Sequence, residues 1–331
     1  MLKISTNPHI QTKKDTKVLM RDVVIALMPA MLAAIVFFGL DSLRVILTAV
    51  AACVMFEYMV CRYWFRTENS TSDYSAVITG LLLAYNLPST MPCWMILIGA
   101  FVAIVVAKMC FGGLGCNIFN PALVGRVFLF ISFPVQMTTW PKPYFGHLFS
   151  VDGQTGATTL RMIKSMDKTA DASQQMYALS DLPSYLDMFL GNIGGCIGEI
   201  SALALLIGLV YLLVRKVITW HIPVFYILTV MVLVTVLYLI TGNMKFLPWA
   251  HLLSGGLLLG AIFMATDYTT SPMTIKGQVV FAIGCGILTV VIRCFSAYPE
   301  GVSFAILIMN ALVPLIDKYS IQRRYGEKNN G

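Results

Sequence analysis

Apolar runs alternate with short polar breaks along almost the whole chain, and their lengths predict the architecture. Runs long enough to cross a hydrocarbon core of ~30 Å fall near residues 23–40, 45–61, 93–110, 190–214, 217–240, 247–266, 277–293 and 301–317. Two shorter runs, 74–88 and 121–136, are bracketed by residues that stop helices. Asn86-Leu87-Pro88 closes the first and Asn120-Pro121 opens the second. Counting both predicts an all-α integral membrane protein of about ten transmembrane helices, with both termini on the same face.

Composition sharpens this picture. Of 331 residues, 58% are hydrophobic and only 12% charged, more apolar surface than a soluble chain of this size can cover. The net charge of +7 does not indicate nucleic-acid binding, because the basic residues sit at the ends of apolar runs and in the two tails. No aromatic-interleaved basic patch accompanies them. With the N-terminus inside, the inner segments collect Lys3, Lys13, Lys14, Lys17, Arg21, Arg62, Arg66, Lys108, Arg215, Lys216, Lys276, Lys318, Arg323, Arg324 and Lys328. The outer segments collect Arg44, Lys142, Arg161, Lys164, Lys168, Lys245 and Arg293. That asymmetry, about two to one, predicts N-in and C-in. The first 22 residues are polar and precede a run with no cleavage site, so the first helix is expected to stay in the membrane. The eight cysteines form no C-x-x-C and read as packed small hydrophobes; Cys110 and Cys116 are the closest candidate ligands and have no nearby His.

Two stretches repeat. Thr79-Gly80-Leu81-Leu82-Leu83-Ala84 parallels Gly255-Gly256-Leu257-Leu258-Leu259-Gly260, and Asn120-Pro121-Ala122-Leu123-Val124 parallels Asn310-Ala311-Leu312-Val313-Pro314. Five spans per copy force opposite orientations, which predicts inverted repeats with interrupted helices near the midplane. The parts are then a cytoplasmic tail (1–22), a first repeat (23–136), an extracytoplasmic loop (137–189), a second repeat (190–317) and a basic cytoplasmic tail (318–331). Within the first repeat, Gly112, Gly113 and Gly115 will not hold a helix, and unpaired backbone is not tolerated in lipid. The segment running on through Asn117, Asn120 and Pro121 is either a tight turn or a backbone-lined site for a cofactor, quinone or ion.

The long polar loop contains Asp152-Gly153-Gln154-Thr155-Gly156-Ala157-Thr158-Thr159. One reading is a glycine turn capping a helix that begins near Thr158. The other is a hydroxyl presented to an incoming enzyme: Gly156 and Ala157 remove bulk, and Asp152 positions the site or accepts a proton. Backbone N–H groups at the helix start would then cradle a phosphate.

Asp152-x-x-Thr155-Gly156-Ala157-Thr158 resembles the flavinylation motif Asp-x-x-(Ser/Thr)-Gly-Ala-Thr, in which a flavin transferase links FMN through its phosphate to the last threonine. The run from Gly112 through Asn120-Pro121-Ala122-Leu123-Val124-Gly125 to Trp140-Pro141 is similar to the D subunit of the Rnf electron transport complex. That family is related to the B subunit of the sodium-pumping NADH:quinone reductase. The resemblance covers essentially the whole chain, and the short N-terminal tail favours the Rnf protein. It implies a bacterial inner-membrane, multi-pass component of a complex that passes electrons between ferredoxin and NAD while moving Na+ or H+. It also implies covalent FMN on Thr158, a flavin transferase for maturation, a second FMN-carrying subunit as partner, and a non-covalent riboflavin. No nicotinamide fingerprint and no iron–sulfur cysteine cluster is present, which fits a relay protein that is not catalytic alone. Two readings stay open beside it. One is the quinone-reductase homologue; the other is a small-solute channel, because a five-plus-five inverted plan also resembles urea transporters.

Charged residues inside spans are candidates for an ion path. These are Glu57, expected to pair with Arg62 one turn away, and Glu199, with no evident partner two turns into its span. Arg126 lies in the short fifth span. His147, His221 and His251 read as interfacial, and Trp140, Trp220 and Trp249 as an aromatic belt.

Overall fold

The structure, a computed structural model, describes residues 15–66, 73–141, 143, 155–156, 158–166, 182–296 and 300–320. Among the described residues, six helices are long and apolar enough to cross a membrane. These are α1 (Thr16–Phe38), α2 (Leu40–Met59, extended by a π-helical turn to Phe65), α4 (Cys93–Phe101, continued by looser turns to Phe111), α10 (His221–Thr241), α13 (Ile275–Phe295) and α14 (Val302–Ser320). Three shorter apolar helices accompany them: α3 (Ser75–Tyr85), α5 (Pro121–Ser132) and α9 (Ala202–Val214). Further helices among the described residues are α6 (Pro134–Met137), α7 (Thr159–Met166), α8 (Tyr185–Leu190), α11 (Pro248–Leu253) and α12 (Leu257–Leu259, continued by a π-helical turn to Met264).

The packing is that of helices that also face an apolar solvent. Leu32, Leu47, Val210, Leu239 and Ile240 are exposed on the outer faces, while small residues sit between helices. A methyl group at Gly80 would lie 2.7 Å from Val50 Cα, so the glycine is what allows α3 to press its backbone on α2. Gly208 does the same for α9, where a methyl would lie 2.5 Å from Ala26 O on α1. Close backbone approach through small residues is the main source of helix association where apolar burial no longer discriminates helix from lipid.

Two expected continuous spans are interrupted. The apolar run 190–214 is not one helix: α8 stops at Gly191, which takes φ +118°, and regular structure resumes only at Ala202. Ile193, Cys196, Ile197 and Ile200 make the intervening stretch apolar enough to read as a span, while Gly191, Gly194, Gly195 and Gly198 leave it too poor in side chains to hold a helix. This loop satisfies the end of α3 instead. Ile197 N–H donates to Leu87 O and Gly198 N–H to Tyr85 O, at 3.0 and 2.9 Å. A methyl at Gly198 would lie 2.3 Å from Tyr85 Cβ, so the approach needs glycine. The run 247–266 breaks likewise at Ser254, Gly255 and Gly256, the two glycines having φ +72° and +65°.

The Asn120 and Asn310 stretches do not occupy equivalent places. Asn120 caps the start of α5, whereas Asn310 sits inside α14. The Asn310 side chain nonetheless reaches the Asn120 backbone: with its amide oriented to suit its neighbours, Asn310 accepts from the backbone N–H of Asn120 and donates to Ile306 O and Thr270 O, each at 3.2 Å.

Candidate functional site

Three polar places lie within or on this apolar frame. The first is built around Lys108. Its ammonium, buried, donates to Glu57 Oε2 at 2.6 Å and to Ser75 Oγ at 2.8 Å. The partner expected for Glu57, Arg62, is therefore replaced by Lys108, and Lys108 is an internal counter-charge rather than a membrane flank. A hydrophobic pattern cannot show this, because the pair joins α2 to the end of α4 across 51 residues.

Beside this pair opens a cleft of about 90 Å³, lined by Ser75, Thr79, Lys108, Asn117, Asn120 and Asp267 among apolar walls. Asn120 Oδ1 caps α5 by accepting from Ala122 N–H at 3.1 Å, and its Nδ2 donates to Met264 O at 3.2 Å. Asn117 Nδ2 donates to Phe119 O at 3.1 Å. Pro121 also lines the cleft. Gly112, Gly113 and Gly115 take φ of +112°, +92° and +92° and form the turn leading into it, so the segment is both a turn and the approach to a cavity.

The second place is built around Arg126, buried in α5. One guanidinium nitrogen donates to Asn86 Oδ1 at 2.6 Å and to Ser303 Oγ at 2.8 Å. The other donates to Cys196 Sγ at 3.6 Å and forms an ion pair with Glu300. Glu199 completes the group by accepting from Cys196 N–H at 2.9 Å. Its other oxygen lies where a methyl on Gly256 would come within 2.9 Å, so the break before α12 leaves room for this carboxylate. The ligand atoms of Cys196, Glu199 and Glu300 all lie within 4.8 Å of one another, close enough to share one cation, and Arg126 supplies it. Glu199 thus lies in the interrupted loop, not two turns into a helix. Glu300, Cys196 and Asn86 are not evident from sequence. Glu300 follows Pro299 in a link between helices, where no periodicity marks it.

The third place is the threonine loop. Trp140 and Pro141 pair antiparallel with Gly156 and Thr155. Trp140 is thereby buried and does not belong to an aromatic belt, whereas Trp220 and Trp249 are exposed. Thr158 Oγ accepts from Arg161 N–H at 3.3 Å, and Thr158 O accepts from Met162 N–H at 2.9 Å, so the residue caps the eight-residue helix α7. Asp152 and Ala157 lie outside the described residues, as does His147, and only the backbone of Thr155 is described. The capping reading of the motif is therefore realised, and it places the hydroxyl at a helix N-terminus, where an added phosphate would meet free N–H groups.

Helix α7 seats on the second interruption. Leu160 is buried and packs so closely that a methyl on Gly255 would lie 2.1 Å from its Cδ1. Beneath it Arg293 is buried and donates to His251 O at 2.7 Å, Ser254 O at 3.2 Å and Gly255 O at 2.8 Å. These are the carbonyls left over at the end of α11, so the guanidinium caps the broken helix. Arg293 is thus no membrane flank. His251, expected at an interface, is buried with Nε2 against Lys245 O at 3.0 Å, while His221 stacks on Trp220. Cys93, Cys110 and Cys116 are exposed rather than packed.

The model of the NQR2, RnfD, RnfE family matches residues 3–326. The chain is 42% identical over 327 residues to the D subunit of the Na+-translocating ferredoxin:NAD+ oxidoreductase complex of Acetobacterium woodii, covering 98% of this chain and 95% of that one. It is 44% identical over 328 residues to the D subunit of the proton-translocating ferredoxin:NAD+ oxidoreductase complex of Clostridium ljungdahlii, with 98% and 96% covered. The D subunit of an ion-translocating oxidoreductase complex of Salmonella newport is 37% identical over 358 residues, with 99% of each covered.

Proposed function

The chain belongs to the NQR2, RnfD, RnfE family, and from that premise we propose that it is the D subunit of an ion-translocating ferredoxin:NAD oxidoreductase complex in a bacterial inner membrane. It takes up ten spans in two inverted sets of five: the six long helices, the three shorter ones, and the interrupted pair α11–α12. Electrons pass through it by a flavin on Thr158, and the other redox sites lie in partner subunits, one of which carries a second FMN.

The observation that carries the flavin reading is the position of Thr158 Oγ at the start of α7, within Asp-x-x-Thr-Gly-Ala-Thr. Thr158 would supply the ester oxygen, and the N–H groups of the first turn of α7 would hold the phosphate. Thr158 is only 7% exposed, so a flavin transferase must reach it before α7 seats on the 254–256 break. Bound FMN supplies one- and two-electron transfer. This chain's part is to fix the group on the extracytoplasmic face and to shield its attachment.

The cleft beside Lys108 is the place for non-covalent riboflavin. Its apolar walls suit a flat ring, and the Asn117 and Asn120 amides with Asp267 suit the polar edge and ribityl hydroxyls. Glu199, beside Arg126, is the carboxylate we assign to the ion path. The relatives named for Na+ and for H+ are about equally similar to this chain, so ion choice must rest on few residues rather than on the fold.

The test is a denaturing gel of protein made together with a flavin transferase. A fluorescent band that disappears in Thr158→Val is expected, because an ester-linked flavin survives unfolding. A wild-type band without fluorescence, or fluorescence that persists in Thr158→Val, refutes the assignment. Reduction of quinone rather than NAD by the assembled complex would select the quinone-reductase reading.

A further inference from the structure

The end of α2 and the looser continuation of α4 enclose a surface groove of about 730 Å³. Each side is lined in part by a π-helical turn, Val60–Phe65 on one and Val102–Val106 on the other. Such turns are rare within helices and recur at functional sites. The floor is apolar. Phe56 and Phe101 meet edge to face with ring centroids 5.6 Å apart, and Val105 lines the same floor. The rim carries Tyr63 and Trp64, 78% and 74% exposed, together with Arg66. Arg66 is the one charged residue of the lining, and Arg62 stands exposed about one turn earlier.

Depth decides what fits. From Leu40 to Met59, α2 has 20 residues, about 30 Å at the helical rise, which matches the thickness of a hydrocarbon core. The floor therefore faces acyl chains, whereas Val60 through Arg66 stand at headgroup depth, where exposed tryptophan and tyrosine belong. The occupant must be apolar at one end and anionic at the other. The carbonyls of a neighbouring transmembrane helix are bonded within that helix, so it covers the floor without supplying an acceptor to the arginine. A phospholipid of net negative charge meets both ends at once. Its tails lie on the phenyl rings, and its phosphate takes the paired N–H donors of a guanidinium.

We propose that this groove is a binding site for an anionic phospholipid of the cytoplasmic leaflet. The phosphate sits on Arg66, Arg62 adds to the local positive charge, and the acyl chains run along Phe56, Phe101 and Val105. The leaflet follows from the excess of Lys and Arg on the segments that share this face. The inference stands apart from the flavin on Thr158 and from the ion path.

The experiment is native mass spectrometry of the full-length chain in detergent, titrated with phosphatidylglycerol and separately with phosphatidylcholine of the same chain length. Wild type is expected to bind phosphatidylglycerol more tightly. Arg66→Gln should weaken that binding about fivefold, as one cation near a lipid surface does, and Arg66→Lys should weaken it less. Met59→Trp fills the groove while keeping both arginines and should weaken binding of both lipids. Lys276→Gln, which removes an exposed cation of the same face outside the groove, is the control and should change nothing. Equal affinity of wild type for the two lipids overturns the proposal. So does a monodisperse Arg66→Gln or Met59→Trp protein that binds phosphatidylglycerol as wild type does. A loss in Lys276→Gln as large as in Arg66→Gln also overturns it, because the effect would then be general surface charge. In the assembled complex, a photoreactive phenylalanine in place of Phe101 should capture phospholipid, and capture of another subunit there overturns the proposal in favour of a protein neighbour.

Discussion

Two of the buried cations, Lys108 and Arg126, differ in how their charge is balanced. Lys108 meets one carboxylate and one hydroxyl, Glu57 and Ser75, all within α2, α3 and the end of α4. Arg126 meets one carboxylate directly and a second through Cys196, and its partners Asn86, Cys196, Glu300 and Ser303 come from both halves of the chain. The first is an ion pair within one half, with Asp267 of the other half lining the same cleft. The second joins the halves and holds one more carboxylate than it has directly bonded cations. A second buried carboxylate of that kind is costly when ionised, and its presence is not explained by stability.

The largest effects should come from removing the two cations. Lys108→Met and Arg126→Met each strand a buried carboxylate, at about 3–5 kcal/mol, read as a fall in the thermal unfolding midpoint in detergent. The rescue separates them. Adding Glu57→Gln to Lys108→Met should restore most of the loss, because the neutralised pair leaves nothing charged. Adding Glu300→Gln to Arg126→Met should restore only part, since Glu199 remains, and Glu199→Gln should be needed for the rest. Equal rescue in both places would show that Glu199 does not belong to the Arg126 group.

Next in size is the junction between α7 and the second interruption. Gly255→Ala places a methyl 2.1 Å from Leu160 Cδ1 and 2.8 Å from Arg293 Nη2, at a residue with φ +72°. Crowding costs about 1–3 kcal/mol, and a left-handed alanine adds about 1–2 kcal/mol. The expected result is an α7 that no longer seats, seen as faster proteolysis within 158–166 while the unfolding midpoint of the bundle moves less than in Arg126→Met. A variant as protease-resistant as wild type would mean that this contact does not hold the helix down.

That junction also shows what can be read from the chain and what cannot. Apolar run length locates the long helices, because lipid exposure requires continuous apolar surface. Asn120-Pro121 marks the start of α5, since a side-chain cap and a proline at the first turn are local chemistry. The interruptions at 191–201 and 254–256 pass for spans in the sequence, because glycine counts as compatible with an apolar run while contributing no helix-holding side chain. The cations are misassigned for a related reason. Lys108 and Arg293 stand near helix ends, where sequence alone reads them as flanks, and only the fold brings Glu57 to one and three orphaned carbonyls to the other.

A smaller effect tests the cleft beside Lys108. Asn120→Ala removes the α5 cap and the contact to Met264 O, about 1–2 kcal/mol together. It should also lower the riboflavin retained by the purified protein several-fold, measured by fluorescence of the acid-released flavin. Asn86→Ala, which removes a partner of Arg126, should leave that riboflavin unchanged. If both variants lose it alike, the cleft and the Arg126 group are one site rather than two.

The smallest effect belongs to Thr158. Before any flavin is attached, its hydroxyl acts only as a cap, so Thr158→Val should cost about 1 kcal/mol and Thr158→Ser only a few tenths. Serine keeps the oxygen that accepts from Arg161 N–H, and valine does not. Because α7 rests on the Arg293 side of the molecule, neither change should alter riboflavin held near Lys108. In protein made with the transferase the ordering should widen. An attached phosphate brings charge to the same N–H groups, worth about 0.3–1 kcal/mol at a helix N-terminus, and only the residue that can form the ester gains it. Comparing unfolding midpoints of wild type and Thr158→Val with and without the transferase reads this directly. A gap that does not change would mean that the phosphate, wherever it is attached, does not sit at the start of α7.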